Sequence, residues 1–456
     1  MLELNLKEIV DVLGGQIYGA TDISSFNAVS TDTRNIGNGD IFIALKGANF
    51  NGNKYFEEAY SKGASLCIVD EFLVKNIKKI PDGCSLLVVD DAELSLGRLA
   101  SYYLDKMNVK VIGVTGSVGK TSTKDMIAAA LSKKYKLLKT LGNFNNHIGL
   151  PLTIFRLDSS YEVAILEMGM SQSKEIEYLA KIAKPHIGVI TNIGLSHIEN
   201  LGSQDNILKA KMEIATYFNS DNTLIVNGED TYLNSINSDS YEIIKTGFKK
   251  EFNYSANNIS LNSLSSTFNV ALPYTNDKCS LDLPGKHNII NYLLAIAVSD
   301  KLNVPFDLVK EGIKTIEKTS MRLDIVDNNG YTIINDCYNA SPDSMKSAID
   351  VQINLNKNRN IAVLGPMNEL GDLSKQAHVE LAEYVLNNNI DMVFTTGTYT
   401  DEYKKVLDDK CRFFANKDEL IASLKSYARK GDSILIKASR GAKYEDIYNG
   451  LLVNQA

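Results

Sequence analysis

Two rhythms of apolar and polar positions alternate along this chain. Short β-branched and aliphatic runs predict buried strands, and the longer stretches between them, with apolar positions three and four apart, predict amphipathic helices. Over residues 1–107, strands are expected at 40–45, 65–69 and 85–89, mixed with helices. From 109 onward, strands at 109–114, 163–166, 187–191 and 223–226 alternate with helices at 120–131, 174–182, 204–217 and 287–302. A parallel sheet with crossover helices requires this order. The polar, alternating stretch 254–283 predicts antiparallel strands added at a sheet edge. A third alternating unit has strands at 331–335, 360–364, 392–395 and 433–436, each followed by a loop and a helical pattern, and no G-x-G-x-x-G follows its first strand. The expected fold class is α/β in three domains: a small N-terminal α/β domain (1–107), a central P-loop ATPase-type domain with a mostly parallel sheet (108–319) and a C-terminal Rossmann-like domain (320–456).

Composition narrows the function classes. A length of 456 residues exceeds one ordinary core, and a net charge of -7 argues against a general nucleic-acid or membrane-surface binder. No apolar run approaches a membrane span, and the amphipathic, acid-bearing start MLELNLKEIVDVLGG is unlike a secretory signal, so a cytoplasmic location is expected. Cys67, Cys84, Cys279, Cys337 and Cys411 are widely spaced and never form C-x-x-C, the pattern of reduced thiols rather than of a disulfide framework. No histidines pair as H-E-x-x-H or H-x-x-x-H, which argues against a histidine zinc site.

Candidate chemistry centres on KVIGVTGSVGKTST (110–123), an apolar strand running into a glycine turn and a helix. Gly116 and Gly119 let successive N–H groups face an anion, Lys120 adds charge, and Thr121 can place a hydroxyl on a phosphate-bound magnesium ion. The consensus G-x-x-x-x-G-K-[ST] is missed at one place, where Val114 replaces the first glycine. Glu167 ends the strand of AILEMG, where a buried carboxylate needs a cation or a helix to cap. His197, in the loop after another strand of that sheet, is a second metal ligand, a phosphate contact or merely exposed. In NILKAKMEI, Lys209 and Glu213 can pair on the surface, while Ile207, Lys211 and Ile214 share the apolar face. An inward Lys211 amine loses charge readily and can be carboxylated to a magnesium-binding carbamate; a snorkelling lysine is the default on the residues alone. Asn288 and Asn291 begin a helix where they can touch a base or ribose, or cap it. Arg322 stands at the start of the third unit, where a cation can reach back to a phosphate. Asp336, Asn339 and Ser341 share a polar loop suited to ribose or a small polar substrate. STDTR (30–34) and Lys46-Gly47 can receive a diphosphate or a uracil, or serve as turn chemistry.

Together these segments resemble the Mur ligase family, ATP-dependent amide-forming enzymes of peptidoglycan precursor synthesis. The resemblance runs through STDTR, DIFIALKG, TGSVGKTS, GNFNNHIGLP, EMG, SHIENLG, KAKMEI, LPGKHNIIN, MRLD, DCYNASPDSM, VLGPMNELG and KASRGAK. GNFNNHIGLP and DCYNASPDSM are similar to the members that join D-alanyl-D-alanine to a UDP-N-acetylmuramoyl tripeptide, and the D-N-P-R signature of the third-residue enzyme is absent. The resemblance implies ATP contacts from Gly116, Ser117, Val118, Gly119, Lys120, Thr121, Ser122, Asn288, Asn291, Arg322 and Asp336. It implies metal contacts from Thr121, Glu167, His197 and a carbamylated Lys211, which reverses the default above. Lys120, His197 and Lys211 are the implied catalytic set. Ser30, Thr31, Arg34, Lys46, Gly47, Asn143 and Asn146 would hold the UDP-substrate, and Asn339 and Ser341 the dipeptide. ATP and Mg2+ are the implied cosubstrate and metal; a monomer without nucleic-acid or membrane partners is expected. A folylpolyglutamate synthetase-like ligase and a P-loop ATPase switch are the alternatives. Departures from the family pattern are Asn51-Gly52-Asn53 for D-G-H, Pro366 for an aspartate in a G-D-M block, and Ser341 for an asparagine.

Overall fold

The phosphate-loop strand, Lys110–Thr115, lies inside a nine-stranded sheet because both of its faces are apolar. Val111 enters one core, and Ile112 and Val114 enter another. In the computed structural model, which describes residues 2–72, 74–317 and 321–452, the sheet runs in the order 276–281, 266–271, 254–261, 242–247, 223–227, 187–190, 110–115, 163–167 and 137–139. The first three strands pair antiparallel at the edge and the rest are parallel, so the carboxyl ends of 110–115, 163–167 and 187–190 stand side by side. Helix Lys120–Leu131 packs against helix Lys286–Lys301, which is buried from Asn288 through Ser299 and therefore carries apolar residues all round.

Two smaller sheets flank this one. The N-terminal sheet orders its strands 16–19, 85–88, 66–69, 41–43, 29–30, antiparallel only in its first pair. The C-terminal sheet runs 324–328, 331–335, 433–437, 360–364, 392–396, 411–414, again antiparallel only in its first pair. The expected division at 319/320 lies outside the described residues.

Strands at Leu137–Lys139, Glu242–Gly247, Asp324–Asn328 and Cys411–Phe414 were not among those expected. They are short, or bear polar residues at buried ends; Asp324–Asn328 is held by the hairpin partner that follows it, and the other three gain their pairing from neighbours more distant in sequence. The helix expected over 204–217 ends at Met212 and continues as a single tighter turn, Glu213–Ala215. Ile207, Lys211 and Ile214 do share the buried face. Glu213 does not pair with Lys209: its carboxylate accepts the N–H groups of Lys174 at 2.8 Å and Glu177 at 3.1 Å, capping the start of helix Glu175–Ala183. A cap to orphan helix donors outweighs an exposed ion pair of a few tenths of a kcal/mol.

Directly behind the phosphate-loop helix, Gly312 of helix Phe306–Ile313 is so close that a Cβ would stand 2.1 Å from the Ala129 carbonyl oxygen. Gly312→Ala gains up to about 1 kcal/mol of helix propensity but must push two helices apart, which costs about 1–3 kcal/mol. A net loss of stability is expected, read as a lower urea midpoint at unchanged slope.

Candidate active site

The turn after Lys110–Thr115 is held open for an anion by its contacts with the neighbouring strand end. Gly116 has φ 146° and approaches Thr191 so closely that a Cβ would lie 1.9 Å from its Oγ1. Thr191 Oγ1 donates to the Val118 carbonyl, Ser117 N–H to the Asn192 carbonyl at 3.0 Å, and Val118 N–H to Asn192 Oδ1 at 2.8 Å. Gly119, at φ 86°, precedes the helix. Val114 is still inside the strand, opposite Glu167 and Val189, so this turn needs no glycine there. Lys120 curls back, with Nζ donating to the Gly116 carbonyl at 2.8 Å, and burial lowers its pKa from the ordinary lysine value.

Glu167 is buried at the end of its strand and caps no helix among the described residues. Its Oε2 accepts from Thr121 Oγ1 at 2.9 Å and its Oε1 from Asn145 Nδ2 at 2.9 Å, with Lys124 Nζ 3.9 Å away. Asn145 was missed by sequence reasoning, which selected its neighbours; three asparagines in one loop carry no periodicity that tells them apart. Asn143 lines the same cavity, and Asn146 Oδ1 accepts the Gly149 N–H at 2.8 Å, fixing the start of helix Gly149–Ile154.

The C-terminal sheet closes the other side. Arg322 donates from Nη2 to Thr121 Oγ1 at 3.1 Å and stacks over Tyr338 at 4.1 Å, while its buried Nε has no hydrogen-bond partner among the described residues. Asp336 is paired with Lys437 and accepts the Leu323 N–H at 3.2 Å. Lys437 also donates to the Asn339 carbonyl at 3.0 Å, and Ser341 forms a reciprocal cap with Ser344 at the start of helix Pro342–Asn354. Asn291 Oδ1 accepts from Thr123 at 3.1 Å, and Asn288 donates to the Pro284 carbonyl at 2.7 Å. His197 Nδ1 stands 2.8 Å from Glu369 Oε2, and the Glu199 N–H donates to the Glu369 carbonyl at 3.2 Å. His197 and Glu369 both have left-handed backbones, φ 65° and 67°, a conformation residues with a Cβ hold only when their surroundings impose it.

These residues surround one cavity of about 1000 Å³, lined by Ser117 to Ser122, Glu167, His197, Asn288, Asn291, Arg322, Asp336, Asn339 and Ser341. Lys211 is only 1 % exposed and is not among the lining residues. The N-terminal candidates are not brought to this cavity. Ser30 exchanges hydrogen bonds with the Asp32 backbone, Arg34 is held by Asp32, Lys46 by Asp70 at 3.0 Å and Glu71 at 2.9 Å, and Gly47 lies under the Phe50 ring. Thr31 is half-buried beside them. Asn53, at the departure from D-G-H, is buried and donates to Asp70 at 2.8 Å.

Among the described residues no group of three His, Cys, Asp or Glu side chains forms a metal cluster. The pairing of one buried carboxylate with one hydroxyl does fit magnesium, which keeps most of its waters and arrives with phosphates.

Burial, and after it the Lys120 charge, hold the Lys211 pKa well below its ordinary 10.5. The folded chain therefore binds this proton less readily than the unfolded chain, so the amine costs stability at neutral pH and ceases to do so as pH rises through 10.5. In bicarbonate-free buffer at pH 7, Lys211→Met is expected to be more stable than the parent by on the order of 1–3 kcal/mol. The gap should close as pH rises in denaturant titrations; a constant gap contradicts this reading.

Residues 114–299 match the Mur ligase middle domain and residues 321–440 the Mur ligase, glutamate ligase domain. The UDP-N-acetylmuramoyl-tripeptide–D-alanyl-D-alanine ligase of Bacillus subtilis is 36% identical over 99% of both chains. The MurF crystal structure from Acinetobacter baumannii superposes with a TM-score of 0.90 at 28% identity, over 99% of both chains. MurF from Thermotoga maritima in complex with ADP gives 0.84 at 26% identity, over 94% of this chain and 99% of that one. With domain matches on both sides of the cavity and a full-length relative beyond them, the chain belongs to the Mur ligase family.

Proposed function

We propose that this chain joins D-alanyl-D-alanine to a UDP-N-acetylmuramoyl tripeptide at the expense of ATP, a step of peptidoglycan precursor synthesis. The observation that carries this reading is the meeting, around one cavity, of a phosphate loop on the central sheet and a polar, amine-side loop on the C-terminal sheet. The full-length relative of that name supports the substrate pair.

In this reading, Gly116, Ser117 and Val118 shape the turn through their contacts with Thr191 and Asn192, and the N–H groups from Gly119 to Ser122 with the Lys120 ammonium hold the nucleotide phosphates. Lys120 must leave the Gly116 carbonyl to do so, and its charge then stabilises the phosphoryl oxygens as the tripeptide carboxylate becomes an acyl phosphate. Glu167, Thr121, His197 and a carbamylated Lys211 would hold magnesium, which supplies charge neutralisation at the phosphates. Arg322 adds a second cation from the C-terminal side, and Asn288, Asn291 and Asp336 serve the nucleoside. Ser30, Thr31, Arg34, Lys46 and Gly47 take the UDP end, Asn143 and Asn146 its peptide-bearing portion, and Asn339 and Ser341 the dipeptide. Closure of the cavity excludes water, whose attack would waste the acyl phosphate. The domain limits 1–107, 108–319 and 320–456, a monomeric state and a cytoplasmic location complete the reading. Among the described residues no helix is long and apolar enough to cross a membrane.

Mass spectrometry of the chain with ATP, UDP-tripeptide and D-alanyl-D-alanine tests it: the pentapeptide product is expected, with phosphate release far above that from either substrate alone. Product from a folate instead points to a folylpolyglutamate synthetase-like ligase, and nucleotide binding without product to an ATPase switch. Lys120→Ala should lower turnover by about 10²–10³. Lys211→Ala should be inactive and regain turnover with a short added carboxylate; parental activity without it rules out the carbamate.

A further inference from the structure

One carboxylate lining the cavity has no role in the account above. Asp343 has neither a hydrogen bond nor an ion pair to any described residue. It follows Pro342 in the first turn of helix Pro342–Asn354, which carries it to the seam between the two sheets. Its Oδ2 comes within 2.7 Å of the position a Cβ would take on Gly194. That vacant position is also 3.3 Å from Ser117 Cβ, and the Gly194 N–H donates to Ser117 Oγ at 2.9 Å. The missing side chain of Gly194 therefore lets a carboxylate of one sheet stand beside the phosphate loop of another.

Two charged groups act on it. Lys346, one turn along its own helix, favours the ionised form, and Asp230, which also holds the Ile193 N–H at 2.8 Å, opposes it. Asp343 is exposed at the cavity, yet the protein crowded around its carboxyl at the seam outweighs Lys346 and holds its pKa above the ordinary value. The exposed carboxylate is solvated from the cavity, and a phosphate bound on the neighbouring loop repels it unless a cation comes between them. The ligase reading brings one in. The α-amine of the incoming dipeptide, with a pKa of about 7.7–8.0, is mostly protonated at neutral pH and then has no lone pair to attack with.

We propose that Asp343 is the catalytic residue that receives the incoming amine, pairing with its ammonium and taking one proton from it. This rests on the ligase reading above. Proton transfer leaves both partners neutral. The nitrogen lone pair then forms the C–N bond as the C–O bond to phosphate breaks. Phosphate departs with that electron pair and the second nitrogen proton, and Asp343 releases its own proton to water. A carboxyl poised above its usual range narrows the gap to the amine and makes the transfer less uphill.

The test compares two nucleophiles in the full chain with ATP and UDP-tripeptide. Hydroxylamine is largely unprotonated at neutral pH and traps the acyl phosphate as a hydroxamate, so it reports the first step without needing a proton acceptor. Asp343→Asn should lower kcat for the dipeptide by about tenfold at pH 7, where about a tenth of the amine is already free, with the deficit shrinking as pH passes about 8 and the free amine becomes abundant. It should still form hydroxamate, which also shows that the variant folds, and Asp343→Glu should restore part of the dipeptide rate. Parental ligation at pH 7, a deficit that does not change with pH, or loss of both reactions overturns the proposal, the last placing Asp343 in the first step. Failure of the ligase reading would appear separately, as absence of dipeptide product from the unsubstituted chain.

Discussion

A buried carboxylate at the end of a strand sets the terms for this molecule. Glu167 is accommodated there because Thr121 and Asn145 donate to its two oxygens and Lys124 stands nearby. Those partners come from two segments: helix Lys120–Leu131, which carries Thr121 and Lys124, and the asparagine-rich loop before helix Gly149–Ile154. Each segment can be where it is only if strands 110–115 and 163–167 are parallel neighbours in the observed register. The sheet order, the glycine turn and the packing of helix Lys286–Lys301 behind it all serve to bring one acid, one hydroxyl and one amide to the same point.

Positive charge is arranged around the phosphate loop from two sides. Lys120 is folded onto its own loop, and Lys211 is buried without a partner among the described residues, so the central sheet holds two cations whose protons are weakly bound. Arg322 arrives from the C-terminal side and reaches the same Thr121 hydroxyl that Glu167 uses. The strained backbones at His197 and Glu369 face each other across the same seam, so part of the cost of docking the two sheets is stored where they meet.

Much of the architecture was legible in the chain. Helix Lys120–Leu131 and strands Tyr331–Asn335 and Asn360–Leu364 carry local signals strong enough to set both ends. The inward face of Ile207, Lys211 and Ile214 followed from spacing alone. What escaped depends on partners far along the chain. Glu242–Gly247 is a strand because 223–227 pairs with it, Glu213 is a cap because helix Glu175–Ala183 starts beside it, and Asp343 stands beside the phosphate loop because Gly194 leaves it room. Asn145, between two asparagines that do other things, could be singled out only by the position of Glu167. No local pattern encodes such meetings.

The cavity also has a divided inheritance. Its phosphate-side wall is built by the central sheet, and its opposite wall by residues beyond 321 that hold together through their own Lys437–Asp336 pair and Ser341 cap. A recombination near that junction would exchange the acceptor wall as a unit while leaving the phosphate machinery intact. Such an architecture lets one energy-coupling engine acquire new nucleophiles by module replacement rather than by rebuilding its interior residue by residue.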